Sequence, residues 1–206
     1  MQPVPAATVV LVRNNTKNVG IEVLLLKRNS KLVFHGGHWV FPGGRLDDAD
    51  FAAADQGLEY PAAQLAAVRE TREEAGVDIR ADQLIHTAHW TTPPRMLRRF
   101  CTWFFVCPLR NPVQVTVDND EILDFRWLSP TEALAEAIAE QLVLPGPTRT
   151  TLQDLSPYEN LEAMVAALSL GNIRVFPEDS TWYRPYEMGY RPNQTSNSTK
   201  DDHPGA

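Results

Sequence analysis

Sulfur chemistry is almost absent from this chain of 206 residues, which holds two cysteines, Cys101 and Cys107. They stand six positions apart on one strand-like run, about 20 Å at about 3.3 Å per residue, too far for a disulfide. They read as free core thiols, and a reducing compartment fits them. Positive charge is also short: 19 lysines and arginines against 26 acids leave a net charge of −7. That balance disfavours a general nucleic-acid or membrane-surface binder, though it leaves room for a local basic pocket. No apolar run approaches the roughly 18 residues of a membrane span. Met1-Gln2-Pro3-Val4-Pro5 lacks the basic-then-apolar pattern of a secretion signal, and the last residues, Asp201 to Ala206, carry no address signal. The expectation is a soluble, cytoplasmic protein with neither nucleic acid nor membrane as partner.

What is present is a core. Hydrophobic residues make up 43% of the chain, enough for one folded domain, expected over residues 1–176. Thr8 to Val12 and Ile21 to Leu26 read as strands joined by a polar hairpin loop. The stretch from Phe34 to Gly44 has four glycines and a proline in eleven residues, which argues for a shaped loop. Asp47 to Leu58 reads as an acidic, alanine-rich excursion or short helix. Pro61 to Ala75 is the clearest helix, with proline at its first position and Gly76 as its stop.

Further strands are expected at Leu84 to Thr91, Phe100 to Val106 and Asp124 to Leu128. Two helices then follow, announced by Ser129-Pro130-Thr131-Glu132 and by Ser156-Pro157-Tyr158-Glu159, the second ending at Gly171. Strands and helices mix without regular alternation, so the fold class is α+β. Residues 177–206 turn polar, with Trp182, Tyr183, Tyr186 and Tyr190 interleaved. They read as a C-terminal tail whose first half packs on the body or serves as a dimer arm.

Glu70, Glu73 and Glu74 recur at i, i+3 and i+4, one stripe of the helix. Like charges at that spacing repel, and the last two sit beside the negative end of the helix dipole. A divalent cation offsets both effects, and hard oxygen ligands select Mg2+ or Mn2+. The competing reading is a solvated charged face neutralised by Arg69 and Arg72.

The context favours the metal. Gly44, Arg69, Glu70, Glu73, Glu74, Gly76 and Val77 resemble the Nudix box, and the likeness runs from about Thr8 to about Leu155. The resemblance implies a Nudix-like α/β/α sandwich with a mixed central sheet and additional C-terminal helices. It also implies a diphosphatase with Glu70 and Glu74 as primary metal ligands and Glu73 as a further ligand or the residue orienting water. The carbonyl of Gly43 or Gly44 would face the metal, and Arg69, Gly43 and Gly76 would be structural. Glu121 matches the acidic residue that commonly serves as general base, with Asp120 as alternate.

Three departures stand out. Thr71 fills an aliphatic place. Gly44 precedes Arg69 by 25 positions, through an insertion at about 45–60 that the usual box lacks. Pro61 stands where the box has its first glutamate, which leaves Asp47, Asp48, Asp50 or Glu59 to pair with Arg69.

The elongated box, with Leu24-Leu25-Leu26-Lys27-Arg28 and Thr92-Pro93-Pro94 before a run of arginines, is similar to coenzyme A diphosphatases of the peroxisomal type and their bacterial relatives. Val33 and Leu26 depart from the signature of the smaller coenzyme A branch. The resemblance implies cleavage of coenzyme A or acyl-coenzyme A to 3′,5′-ADP and the (acyl-)4′-phosphopantetheine. Arg95, Arg98 and Arg99 would suit the 3′-phosphate and Arg28 the diphosphate, because guanidinium forks fit phosphate oxygens. The alternatives are a Nudix hydrolase of ADP-ribose, NADH or another dinucleotide, and a nucleotide-binding module without catalysis.

Overall fold

Period-two burial along the first strand already divides the molecule into two cores. The structure, a computed structural model, describes residues 2–32 and 36–191. In β1 (Val4–Asn14), Ala7, Val9 and Leu11 enter one core while Val10 and Val12 enter the other. Successive side chains of a strand point to opposite faces, so a strand buried on both sides lies inside a sandwich. β2 (Ile21–Arg28) repeats the pattern, with Leu24 and Leu26 on the first face and Val23 and Leu25 on the second. Two short strands follow, β3 (Trp39–Val40) and β4 (Gly43–Arg45). The remaining strands are β5 (Ile85–Thr91), β6 (Phe100–Pro108), β7 (Ile122–Leu128) and β8 (Arg174–Phe176).

These strands form one sheet in the order β3-β2-β1-β6-β5-β8, with β4 added on β1 and β7 on β2. β1 runs parallel to β6, and β5 to β8; the other pairs are antiparallel. The mixed sheet is therefore as expected, and helices cover both faces. A short helix, α1 (Asp48–Ala53), leads through one tight turn into α2 (Glu59–Ala75). α2 turns Ala62, Ala63, Ala66 and Ala67 onto the first core, where their small size brings the helix close to Trp103 and Phe105. Gly76 ends it in the left-handed conformation, at φ +65°, a position that costs glycine nothing.

The second face carries α3 (Pro130–Ile138), α4 (Gly146–Leu155) and α5 (Leu161–Leu168), packed through Ala133, Leu152, Leu155, Leu161 and Met164. The cap at Ser129 is built as the sequence implies: Ser129 Oγ accepts the Glu132 N–H, and Glu132 accepts the Ser129 N–H. The Ser156 expectation needs correction. Ser156 closes α4, its hydroxyl donating to the Gln153 carbonyl, and α5 starts later under Asn160, whose side chain accepts the Ala163 N–H. Proline after serine suits a helix end as well as a helix start, so the four-residue pattern alone was ambiguous. Pro61 falls within the first turn of α2, not at its first residue, because the first turn needs no intrahelical N–H. No helix among the described residues is long and apolar enough to cross a membrane.

Beyond β8 the chain folds back over the start of α2. The Met188 carbonyl accepts the Tyr60 N–H at 2.8 Å, and Thr91 Oγ1 meets Ser180 Oγ at 2.8 Å. Tyr183 and Tyr190 close over His89 and His86, with ring centroids 4.8 and 4.7 Å apart. Both histidines are buried, and neither ring nitrogen of His89 has a hydrogen-bond partner among the described residues. Burial pushes the His86 imidazolium down to about 3 and that of His89 to about 4.

Between the ordinary histidine value and these folded values the unfolded chain binds protons that the folded chain refuses, so stability falls as pH falls. His89→Phe should remove one such proton. Its unfolding free energy should decline less steeply than wild type between about pH 6.5 and pH 4.5, by about 1.4 kcal/mol per pH unit. Parallel denaturant titrations of the two proteins would check this, and equal slopes would refute it.

Candidate functional site

Helix α2 presents its last two turns to the edge of β4, and the contact is carboxylate against backbone. Glu74 is buried, its side chain only 5% exposed, and one carboxylate oxygen accepts the Gly43 N–H at 2.9 Å. Glu70 lies against the next residue so closely that a Cβ on Gly44 would fall 2.2 Å from Glu70 Oε1. A Cβ on Gly43 would meet the Ala7 carbonyl at 2.3 Å, a backbone contact that cannot give, so glycine is required there, whereas a Cβ on Gly44 would displace the Glu70 carboxylate. Glu73 stays in solvent.

Two arginines address these acids. Arg69 donates to Glu70 at 2.8 Å and to Glu73 at 3.1 Å through Nη1. Its other edge grips Asp50, Nη2 at 2.9 Å and Nε at 3.3 Å, and Nη2 also reaches the Arg45 carbonyl at 3.0 Å. Asp50 is therefore the substitute for the missing first glutamate, with Asp47 more distant at 3.6 Å. It is delivered by α1 from inside the insertion, and it is buried where Asp47 is exposed. Glu59, another candidate for this role, instead accepts the Trp103 indole N–H at 2.9 Å. Thr71 fits the aliphatic place because its buried hydroxyl donates to the Ala67 carbonyl at 2.7 Å.

Arg28 lies at the end of β2, just where its pairing with β7 shifts register. Its Nη1 stands 3.5 Å from Glu74 and its Nη2 3.4 Å from Glu121. Glu121 is exposed on the loop before β7. That loop is pinned to Asn29, whose backbone N–H donates to the Glu121 carbonyl at 2.8 Å and whose side chain donates to the Asp120 carbonyl at 2.9 Å. The sequence reading did not single out Asn29; a side-chain amide beside Arg28 was its only signal.

The fold thus gathers Gly43, Gly44, Glu70, Glu73, Glu74, Arg69, Arg28 and Glu121. It does not bring in the arginine-rich segment. Arg95 and Arg98 are exposed at the tip of the β5–β6 hairpin, and Arg99 donates to the Thr92 carbonyl. That tip lies at the same end of the sheet as the site, since the Val4 N–H binds the Arg99 carbonyl and the Leu46 N–H binds that of Pro5.

Among the described residues no three acidic, histidine or cysteine side chains converge as a ready metal cluster. The arginines hold the glutamates instead. The electrostatics nevertheless suit a divalent cation. Burial, then Glu70, pushes the Glu74 carboxyl up to about 8, with Glu121 adding to the rise and the Gly43 N–H and Arg28 opposing it. Burial raises Glu70 as well. Glu70, Glu73, Glu74 and Glu121 outnumber Arg28 and Arg69 here; their oxygens are hard donors, and a divalent cation entering would displace the proton that burial holds on Glu74.

An α/β/α sandwich whose helix carries three glutamates against a Gly-Gly strand defines a class, and comparison with known proteins gives the family. Residues 2–144 match the NUDIX domain, and the chain belongs to the Nudix family. It is 29% identical over 186 residues to a Caenorhabditis elegans protein provisionally named nudix hydrolase 7, covering 73% of this chain and 60% of the relative. It is 24% identical over 252 residues to the acyl-coenzyme A diphosphatase NUDT19 of Xenopus laevis, covering 77% and 66%. The chain thus spans about two thirds or less of the length of these curated relatives. A crystal structure of a NUDIX hydrolase from Alicyclobacillus acidocaldarius superposes with a TM-score of 0.71 at 23% identity, over 81% of this chain and 96% of that one. That likeness shows the fold.

The difference between Asp50 and Asp47 can be measured. Asp50→Ala should lower the unfolding free energy by about 2–3 kcal/mol, because it strips the buried partner from Arg69. Asp47→Ala should stay within about 0.5 kcal/mol, as exposed pairs do. Urea denaturation of both variants distinguishes this arrangement from one in which either aspartate serves.

Proposed function

We propose that this chain is a metal-dependent hydrolase of a nucleoside diphosphate linked to a second group, with coenzyme A or acyl-coenzyme A as substrate. The observation that carries the hydrolase reading is the pair of desolvated carboxyl groups, Glu70 and Glu74, set against Gly44 and Gly43. Glu70 and Glu74 would hold the cation, and Glu73, left in solvent, would take an outer role. When bound there, Mg2+ or Mn2+ supplies Lewis acidity, neutralising diphosphate charge and making water a better nucleophile.

The chain's own residues do the rest. Glu121, exposed beside Arg28, would take the proton of the attacking water. Water adds at one phosphorus and the bridging P–O bond breaks, giving two phosphomonoesters. From coenzyme A these are 3′,5′-ADP and 4′-phosphopantetheine. Arg28 would contact the diphosphate, and a 3′-phosphate would have to extend out of the gathered site toward Arg95, Arg98 and Arg99 on the hairpin at the same end of the sheet. Two facts support coenzyme A over other dinucleotides: the inserted helix that delivers Asp50, and the likeness to an acyl-coenzyme A diphosphatase.

Incubation of the full chain with coenzyme A and Mg2+ should release 3′,5′-ADP, followed by chromatography. Turnover of ADP-ribose or NADH with none of coenzyme A would overturn the substrate. Glu74→Gln should lower kcat by a factor of about 100 or more while its thermal midpoint stays near wild type. Gly44→Ala pushes a methyl group into the Glu70 carboxylate and should raise the Mn2+ concentration needed for half-maximal rate about tenfold. Unchanged metal dependence in that variant would remove Glu70 from the ligand set.

A further inference from the structure

Arg28 is held differently from its neighbour Arg69. Arg69 spends its donors on bonds of 2.8–3.1 Å to Glu70, Glu73, Asp50 and the Arg45 carbonyl. Arg28 makes two contacts at the long end of the hydrogen-bond range, 3.5 Å to Glu74 and 3.4 Å to Glu121. Its Nε is buried and has no acceptor among the described residues. A guanidinium has five donors in a planar fork, so most of its capacity here is unused. It is largely enclosed, it faces two carboxylates of the site, and it is bound tightly to neither.

We propose that Arg28 is an exchange residue: its guanidinium competes with the divalent cation for Glu74, and the diphosphate of the substrate resolves the competition by taking Arg28 as its own partner. The proposal rests on the reading of Glu74 as a metal ligand. Two cations at one carboxylate repel each other, so metal entering alone meets Arg28 as an opponent. A diphosphate brings oxygens that match the guanidinium fork, satisfy the buried Nε and place negative charge between the two cations. Metal and diphosphate then bind cooperatively, and the coupling is reciprocal: each raises the affinity for the other by the same factor. No covalent step is involved, only a change of partner. Arg69, bonded on both edges and tied to buried Asp50, cannot serve this way.

The test measures Mn2+ binding to the full chain by electron paramagnetic resonance, with and without α,β-methylene-ADP, whose P–C–P bridge resists cleavage. Wild type should bind Mn2+ weakly alone and about tenfold more tightly with the analogue. Arg28→Met should bind Mn2+ alone about tenfold more tightly than wild type, and the analogue should then add less than about twofold. Arg28→Gln, closer in polarity, should behave the same way and covers the case in which the methionine variant folds poorly. A purely structural role for Arg28 predicts weaker metal binding in both variants, the opposite sign. The proposal is overturned if the variants bind Mn2+ no more tightly than wild type, or if they keep its response to the analogue. Glu74→Gln separates the two levels: undiminished Mn2+ binding there would sink the metal-site reading itself.

Discussion

The site depends on one hydrogen bond between a buried carboxylate and a backbone amide. Glu74, on the last turn of α2, accepts the N–H of Gly43 on a strand fixed to β1. This contact sets the distance between the glutamate helix and the sheet edge, where backbone crowds Gly43 and the Glu70 carboxylate crowds Gly44. It is also incomplete. One neutral donor and one distant guanidinium do not replace the hydration that a carboxylate loses on burial, which is why the Glu74 proton is held up to about 8. An arrangement that keeps such a group out of water beside Glu70 and Glu121 leaves a carboxyl whose ionisation is costly until a cation arrives, the pattern expected where a cation is to be bound.

The same logic explains the inserted segment. The family pattern places a glutamate one face up the helix from Arg69, and here that position is proline. The requirement is an anion at the guanidinium, and α1 meets it from outside the helix through Asp50. Asp50 also accepts the Asp47 N–H that opens α1, so one carboxylate anchors the insertion and orients the arginine. The anion at the guanidinium thus comes from the insertion and not from the helix itself. Arg69 can then hold Glu70 and Glu73 in place without itself being free to move.

Much of this was legible in the sequence, for identifiable reasons. The two-sided strands, the helix from about Pro61 to Gly76 and the cap at Ser129 follow from local periodicity and capping, which depend on near neighbours. The glutamate stripe and the glycine pair were readable because few other settings require both. The choice of Asp50 over Asp47, Asp48 and Glu59 was not readable, since it depends on how a short helix packs across about twenty residues of chain. Helix α4 escaped notice because glycine and prolines surround its start and its apolar face is sparse, with only Leu152 and Leu155 buried beside Thr148. Ser156 misled because serine followed by proline can close one helix or open the next. The arginine-rich run was plain in sequence, but nothing local fixes its distance from the glutamates.

Helix α2 could not take up this position unaided. Three acids in its last two turns oppose one another and the helix dipole, and such a segment draws its stability from packing more than from its own propensity. Packing is supplied separately at each part of the helix. The middle carries an alanine face that lets the backbone approach Trp103 and Phe105. The C-terminal end is held by Gly43 and, through Arg69, by Asp50. The N-terminal end is closed by the segment after β8: the Met188 carbonyl takes up the free Tyr60 N–H, and Gly189 packs against Leu58 and Pro61 where a Cβ would fall 3.0 Å from Leu58. Aromatic residues at the end of the described chain therefore bear on the glutamates indirectly. By sealing Tyr60, His86 and Trp103 from water they fix one end of the lever whose other end carries Glu70 and Glu74.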